Sequence, residues 1–167
     1  KGFHNLLQLS TLSFTKKFAT GPRINFELLE RFSEGLIALS GCLDGEVPQL
    51  LLSGQERNAE AAIKKYQQIF GRENFYVELQ NHGLEKQKQI LPDLVKVART
   101  CNCPIVATNN VHYIMPQDCE IQAAMLCEAD RENIGDTSPL RFAGSEFYFK
   151  SEDEMKKIFA SYPEAIT

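Results

Sequence analysis

Three apolar runs of strand length punctuate the chain: Leu36-Ile37-Ala38-Leu39, Phe75-Tyr76-Val77-Glu78-Leu79 and Ile105-Val106-Ala107-Thr108. Between the first two, Ala59, Ala62, Ile63, Tyr66, Ile69 and Phe70 recur at helical spacing, and Gly71 ends the stretch. Between the second and third, Leu84 to Thr100 is again helical, with Pro92 expected to kink the helix or restart it as a first-turn residue. Strands that alternate with helices through short connections must run parallel, with the helices covering the sheet. The sequence therefore predicts an α/β fold, and in such folds functional groups collect at the carboxyl ends of the strands.

The flanking segments fit the same scheme. Phe3, Leu6, Leu7, Leu9 and Phe14 mark an early helix that Gly21-Pro22 closes off, and Asn25 is placed to cap a short helix through Leu28, Leu29 and Phe32. The run 36–39 has the continuous apolar character of a strand buried on both faces. After the turn Gly41 to Glu46, Val47 to Leu52 fits one or two helical turns. Pro116 can open a helix reaching about Cys127, Arg131 to Pro139 reads as a polar loop, and Phe147-Tyr148-Phe149 as a short strand. Ser151 and Glu154 form a capping box ahead of Met155, Ile158 and Phe159.

Composition removes several function classes. With 167 residues, 43% of them hydrophobic, the chain can build one real core and not two full domains. No apolar stretch approaches the roughly 18 residues of a membrane span, so no membrane association is expected. Eighteen basic against 22 acidic side chains leave a net charge of -4, which offers no broad cationic groove for nucleic acid. Five cysteines with no signal peptide and no disulfide-framework spacing read as reduced thiols and a cytoplasmic protein. The first residue is Lys1 and a periodic apolar stretch follows directly, as expected of a piece of a longer protein.

Each strand run is followed by a polar cluster: Cys42-Leu43-Asp44-Gly45-Glu46, Gln80-Asn81-His82-Gly83 and Asn109-Asn110-Val111-His112-Tyr113. Thiolate, imidazole and carboxylate are the ligands of zinc and related divalent ions, and Asn110 and His112, two residues apart, can face one site. Each also has a structural alternative. Cys42 can serve as small buried filler, and His82 can bond its own turn. Asn109-Asn110, by contrast, gives a buried strand a polar tail that packing does not call for. Glu78 sits within an apolar strand and must be paired, as in a structural salt bridge, or functional. Cys101 and Cys103 lack a second ligand pair and are expected to pack as thiols at a helix end and a strand start, with Cys119 and Cys127 on the core face of their helix. The sequence holds no phosphate-binding glycine loop, nucleophile elbow or zincin motif.

Three blocks carry a family resemblance: Gly35-Leu-Ile-Ala-Leu-Ser-Gly-Cys-Leu-Asp-Gly-Glu-Val-Pro48, Phe75-Tyr-Val-Glu-Leu-Gln-Asn-His-Gly83 and Pro104-Ile-Val-Ala-Thr-Asn-Asn-Val-His-Tyr113. In order and spacing they resemble the amino-terminal PHP (polymerase and histidinol phosphatase) domain of bacterial DNA polymerase III alpha subunits. The tail Arg141-Phe-Ala-Gly-Ser-Glu-Phe-Tyr-Phe-Lys150, with Glu154, Met155 and Pro163-Glu-Ala165, resembles the passage from that domain toward the polymerase core.

The resemblance implies part of a distorted (β/α)7 barrel, with a partial PHP domain over 1–140 and a connection toward the polymerase core over 141–167. It implies a metal site for zinc or manganese, in which the family's cysteine ligand falls on Cys42 and its Asp-x-His pair on Asn110 and His112. Glu78 and His82 stand beside these as further candidates. The remaining ligands, including a His-x-His motif, would precede Lys1, and the polymerase's magnesium-binding aspartates would follow Thr167. Asn110 departs from the family's aspartate: an amide oxygen neutralises no metal charge, so the site is expected to be eroded and the segment mainly scaffold. The parent protein is expected to be a DNA-directed DNA polymerase acting on DNA and deoxynucleoside triphosphates, with the proofreading subunit and sliding clamp as candidate replisome partners. A stand-alone PHP-type metal-dependent phosphoesterase is the alternative.

Overall fold

The computed structural model describes residues 1–15, 21–130 and 144–166, with side chains placed outside 127–130. Ten regular elements follow in chain order: α1 (Gly2–Thr15), α2 (Phe26–Phe32), β1 (Ala38–Leu39), α3 (Glu46–Leu52), α4 (Glu56–Phe70), β2 (Phe75–Leu79), α5 (Glu85–Thr100), β3 (Ile105–Ala107), α6 (Cys119–Asp130) and α7 (Glu152–Ile158). The strands make one sheet in the order β1-β2-β3. β1 and β2 are parallel with Ala38 opposite Phe75 and Leu39 opposite Tyr76. On the other edge of β2, the Val77 N–H donates to the Pro104 carbonyl at 2.9 Å and the Thr108 N–H to the Leu79 carbonyl at 3.0 Å. Residue numbers rise together across both bonds, which is the parallel sense. The α/β class and the parallel sheet with its helices are thus those expected.

The fold divides into two compact units, one of residues 1–77 and 93–105, the other of 78–92 and 106–167. In the first, α4 turns Ala59, Ala62 and Ile63 inward, joining Val47, Phe75, Val77 and the Leu94, Val95, Val97 and Ala98 side of α5. Tyr66 stacks on Phe75 with ring centroids 5.0 Å apart, and its hydroxyl donates to Glu46 at 2.7 Å. Asn25 caps α2 through its side-chain oxygen, which accepts the Leu28 N–H at 3.0 Å. The entry of α1 needs glycine: a β-carbon on Gly2 would sit 2.0 Å from the Gly35 carbonyl oxygen. α1 buries Asn5, Leu9 and Ser13, while Phe3, Leu6, Leu7 and Phe14 face outward. In the second unit the core gathers Leu79, Ile90, Leu91, Tyr113, Phe147, Phe159 and Ala165.

Several expectations need correction. The first strand is only two residues long and is not buried on both faces: Ile37 is 68% and Leu39 44% exposed, and among the described residues it has a strand neighbour, β2, on one side only. Pro92 neither restarts α5 nor ends it; the helix continues through it, with the proline exposed. The Phe147–Phe149 run forms no ladder, only a parallel bridge between Tyr148 and Tyr113. A 3-10 turn at Pro116–Asp118 precedes α6, in which Cys119 is half-buried. Cys101 and Cys103 are buried thiols, as expected, and burial pushes the Cys103 thiol up to about 11. The polar loop over 131–139, the side chain of Cys127 and the tail residues 141–143 lie outside the described residues.

Candidate functional site

β2 and β3 end side by side within the second unit, and their polar tails interlock there. At the base, the buried Glu78 carboxylate accepts the Thr108 hydroxyl and, at 2.9 Å, the Gln80 side-chain amide. The same amide lies 3.1 Å from Thr108 Oγ1. Strand alternation brings Glu78 and Gln80 to one side, which is why residues two apart share these partners. Gln80 Oε1 is a buried acceptor without a partner among the described residues.

His82 is 2% exposed and held on every side. Its Nε2 accepts the backbone N–H of Asn110 at 3.1 Å, and its Nδ1 lies 3.2 Å from Gln87 Nε2. Its own backbone N–H donates to Gln87 Oε1 at 2.7 Å. The ring lies flat against Phe147, with centroids 4.5 Å apart and planes within 2°. Burial, followed by the nearby Lys150 ammonium, holds the His82 pKa below the ordinary histidine value, so the ring is neutral at pH 7. With the Nε2 lone pair occupied by a backbone donor, His82 buckles the β3 tail to the β2 tail and is not free to bind an ion.

Asn110 and His112 stand above this buckle, both exposed. The His112 N–H donates to the Phe147 carbonyl at 2.8 Å, and its ring meets Phe147 edge-on at 5.9 Å. Phe147 therefore supports both histidines, one by its face and one by its edge. The Asn109 amide donates to the Tyr148 carbonyl at 2.8 Å, and its side chain also hydrogen-bonds His82. The Lys150 side chain is 1% exposed, with Nζ bonded to the Glu146 carbonyl, 3.5 Å from the Glu146 carboxylate and 4.1 Å from the Tyr148 ring. Cys42 belongs to the other unit, half-buried in the turn after β1, where its carbonyl accepts the Gly45 N–H at 2.8 Å.

The structure thus brings together His82 and His112 through Phe147 and Asn110 through its N–H to His82, with Glu78 tied to the same strand ends by Thr108. Among the described residues no three of His, Cys, Asp and Glu are grouped to hold a metal ion. The donor set agrees with that: Asn110 brings an amide where a carboxylate would offset charge, His82 has spent its lone pair, and His112 is one borderline ligand. These side chains alone do not fit a tightly held divalent cation.

Phe147, Gln87, Thr108 and Lys150 are the members of the site that sequence reasoning missed. Gln87 had a usable signal, lying in the first turn of the helix that follows His82. Phe147 and Lys150 had none, since partners 65 and 68 positions beyond His82 are set by tertiary structure.

Residues 1–82 match the PHP domain family. The chain is 40% identical to the DNA polymerase III subunit alpha of Treponema pallidum (strain Nichols) over 165 residues, which are 99% of this chain and 14% of that one. It is 38% identical to the subunit of the same name from Helicobacter pylori (strain ATCC 700392 / 26695), again over 99% of this chain and 14% of the relative. A third, from Thermus aquaticus, is 38% identical over 98% of this chain and 13% of its own. The chain therefore spans about 14% of the length of these relatives. Among the described residues no helix is long and apolar enough to cross a membrane.

Proposed function

We propose that the chain belongs to the PHP domain family in the form carried by DNA polymerase III alpha subunits and is the PHP segment of a replicative DNA polymerase. The parent protein catalyses DNA-directed DNA synthesis in the cytoplasm, with DNA and deoxynucleoside triphosphates as substrates and magnesium at a separate polymerase centre. The observation that carries this is the match along 99% of the chain to proteins of that one name.

Within the parent, this segment acts as scaffold. Its strand-end rim keeps the family's architecture while its ion-binding capacity is weakened, because Asn110 supplies an amide and the His82 nitrogen holds the Asn110 backbone instead of a metal. Zinc or manganese bound at the rim would rely on His112 together with residues of the parent protein. The proofreading subunit and the sliding clamp are the replisome components proposed to dock on the parent.

The test is a pair of assays on the full chain. Primer extension on a primed template in magnesium, unchanged when His112 is replaced by alanine, is the expected result. A protein that hydrolyses phosphoesters through His112 and extends no primer would instead be a metal phosphoesterase, and the proposal would be withdrawn.

A further inference from the structure

The segment Glu146 to Lys150 lies across the tails of β2 and β3 as a strap, all within the second unit. Phe147 meets both histidines, Tyr148 bridges to Tyr113, and the Asn109 amide and His112 N–H donate to the Tyr148 and Phe147 carbonyls. At its end the strap carries a buried cation that the scaffold reading leaves unexplained. The Lys150 side chain is 1% exposed, and its ammonium bonds the carbonyl of the peptide that leads into Phe147. The Glu146 carboxylate lies 3.5 Å away and the Tyr148 ring 4.1 Å, and the Tyr148 hydroxyl donates to Glu154 at 2.6 Å.

These contacts have a structural role: they join Glu146, Tyr148 and Lys150 to one another and so fix the shape of the strap. Its attachment to the strand tails is made by other bonds, through Asn109, through His112 and through the Phe149 N–H on the Tyr113 carbonyl at 3.0 Å. Neither shape nor attachment calls for a charge. Burying an ammonium costs free energy that pairing must offset, and an apolar side chain of like volume in place of a buried ion pair is often neutral or stabilising. What only the ammonium brings is a fixed positive charge beside the rim, and after burial it is the next cause of the neutral His82 imidazole.

A divalent ion is held where negative ligands offset its charge, and like charges oppose one another most strongly in a partly buried site. We infer that the Lys150 ammonium is the resident cation of this rim and that its charge, together with the Asn110 amide, decides against zinc or manganese at His112. The inference rests on the reading of the rim as scaffold and names the residue that makes it so. The strap thus has two parts: Phe147 supports both histidines, and Lys150 supplies the positive charge that an ion would otherwise bring.

The test follows modification of His112 by diethyl pyrocarbonate in the full chain, with peptide mapping, as zinc is raised. Zinc held at His112 protects its ring, and ions at any other centre are not read. Lys150→Met removes the charge and keeps most of the volume, and it lowers the zinc concentration that half-protects His112 by about tenfold or more, as expected when a unit charge near a doubly charged ion is removed. Lys150→Arg keeps the charge and leaves that concentration where it was. A methionine variant protected no better than the unaltered protein, or an arginine variant shifted as far as the methionine one, overturns the inference. A second measurement needs no substitution and stands even if the methionine variant does not fold. In the unaltered protein, micromolar zinc leaves His112 reactive and Lys150 unlabelled by N-hydroxysuccinimide acetate. Protection of His112 there, with Lys150 labelled or not, shows an ion held at the rim despite the ammonium and overturns the inference. Primer extension is measured separately: a chain that extends primers and binds zinc at the unaltered rim fails this inference alone, whereas one that extends none fails the replicative assignment.

Discussion

Phe147 is the side chain on which both histidines of the rim depend, so its removal tests the site's construction. It is 4% exposed, stacks on His82 at 4.5 Å and meets His112 edge-on at 5.9 Å. Burying a phenylalanine contributes about 1.5–3 kcal/mol from transfer alone, and an aromatic pair adds about 0.5–1.5 kcal/mol. Phe147→Ala, which also leaves a cavity, should therefore cost about 3–5 kcal/mol, a large part of a typical domain's stability. Phe147→Leu keeps most of the apolar volume and loses the stacking, so about 1–2 kcal/mol is expected. Urea unfolding followed by circular dichroism reads both, and at a slope of about 2 kcal/mol per molar the leucine variant's midpoint should fall by roughly 0.5–1 M. The same variant admits water beside His82. Its pKa should then rise toward the ordinary histidine value, as seen by NMR of the imidazole carbon-bound protons. An alanine variant costing under about 1 kcal/mol, with His82 titrating as before, would refute the account of Phe147 as the common support.

Four further outcomes are expected. Because the folded pKa of His82 is lowered, chiefly by burial, the unfolded chain binds more protons: its contribution to stability is complete above about pH 6.5 and is lost as the pH falls below that, and His82→Gln should flatten the difference between urea midpoints at about pH 7.5 and 5.5. Asn110→Asp in the full chain should strengthen zinc binding by about tenfold or more in a calorimetric titration, and an unchanged affinity would remove position 110 from any shell. Ser151→Ala should cost about 1 kcal/mol in thermal unfolding, since Ser151 and Glu154 cap α7 reciprocally. With Phe3 75% and Phe14 73% exposed beside Leu6 and Leu7, the 167-residue chain on its own should self-associate in light scattering; a clean monomer would show that this apolar face is tolerated in water.

The legible parts of the fold were those in which local chemistry and burial agree. α4 has an apolar stripe of period 3.6 and is the helix its sequence describes; Asn25 and Ser151 cap their helices because a side-chain oxygen one turn back is all that capping requires. The mistakes lie where long-range partners decide. Leu36 to Leu39 is apolar throughout and still yields an edge strand, since apolar composition does not say how many neighbours a strand has. Of the kink or restart expected at Pro92, the restart does not occur, because the local pattern does not reveal that α5 continues past an exposed proline.

The site was legible to the level of the strand ends and no further. The rule that polar groups gather at the carboxyl ends of parallel strands led to the segments holding Gln80, His82, Asn110 and His112 and passed over Thr108. What it cannot supply is occupancy of a lone pair. An exposed histidine and a buried one have the same letter, yet His82 accepts a backbone N–H and His112 gives its own N–H to Phe147. Asn110 joins these facts. A carboxylate at the end of β3 would set a negative charge beside a buried neutral imidazole and raise its pKa, whereas an amide leaves that imidazole neutral and its Nε2 open to the Asn110 backbone. An amide at 110 and a neutral, bonding His82 therefore reinforce one another: the side chain that lends no charge to an ion also steadies the buckle between β2 and β3. The double variant Asn110→Asp with His82→Gln checks this, because the stability cost of the aspartate should shrink once the imidazole is gone, and strictly additive costs would show that the two positions are uncoupled.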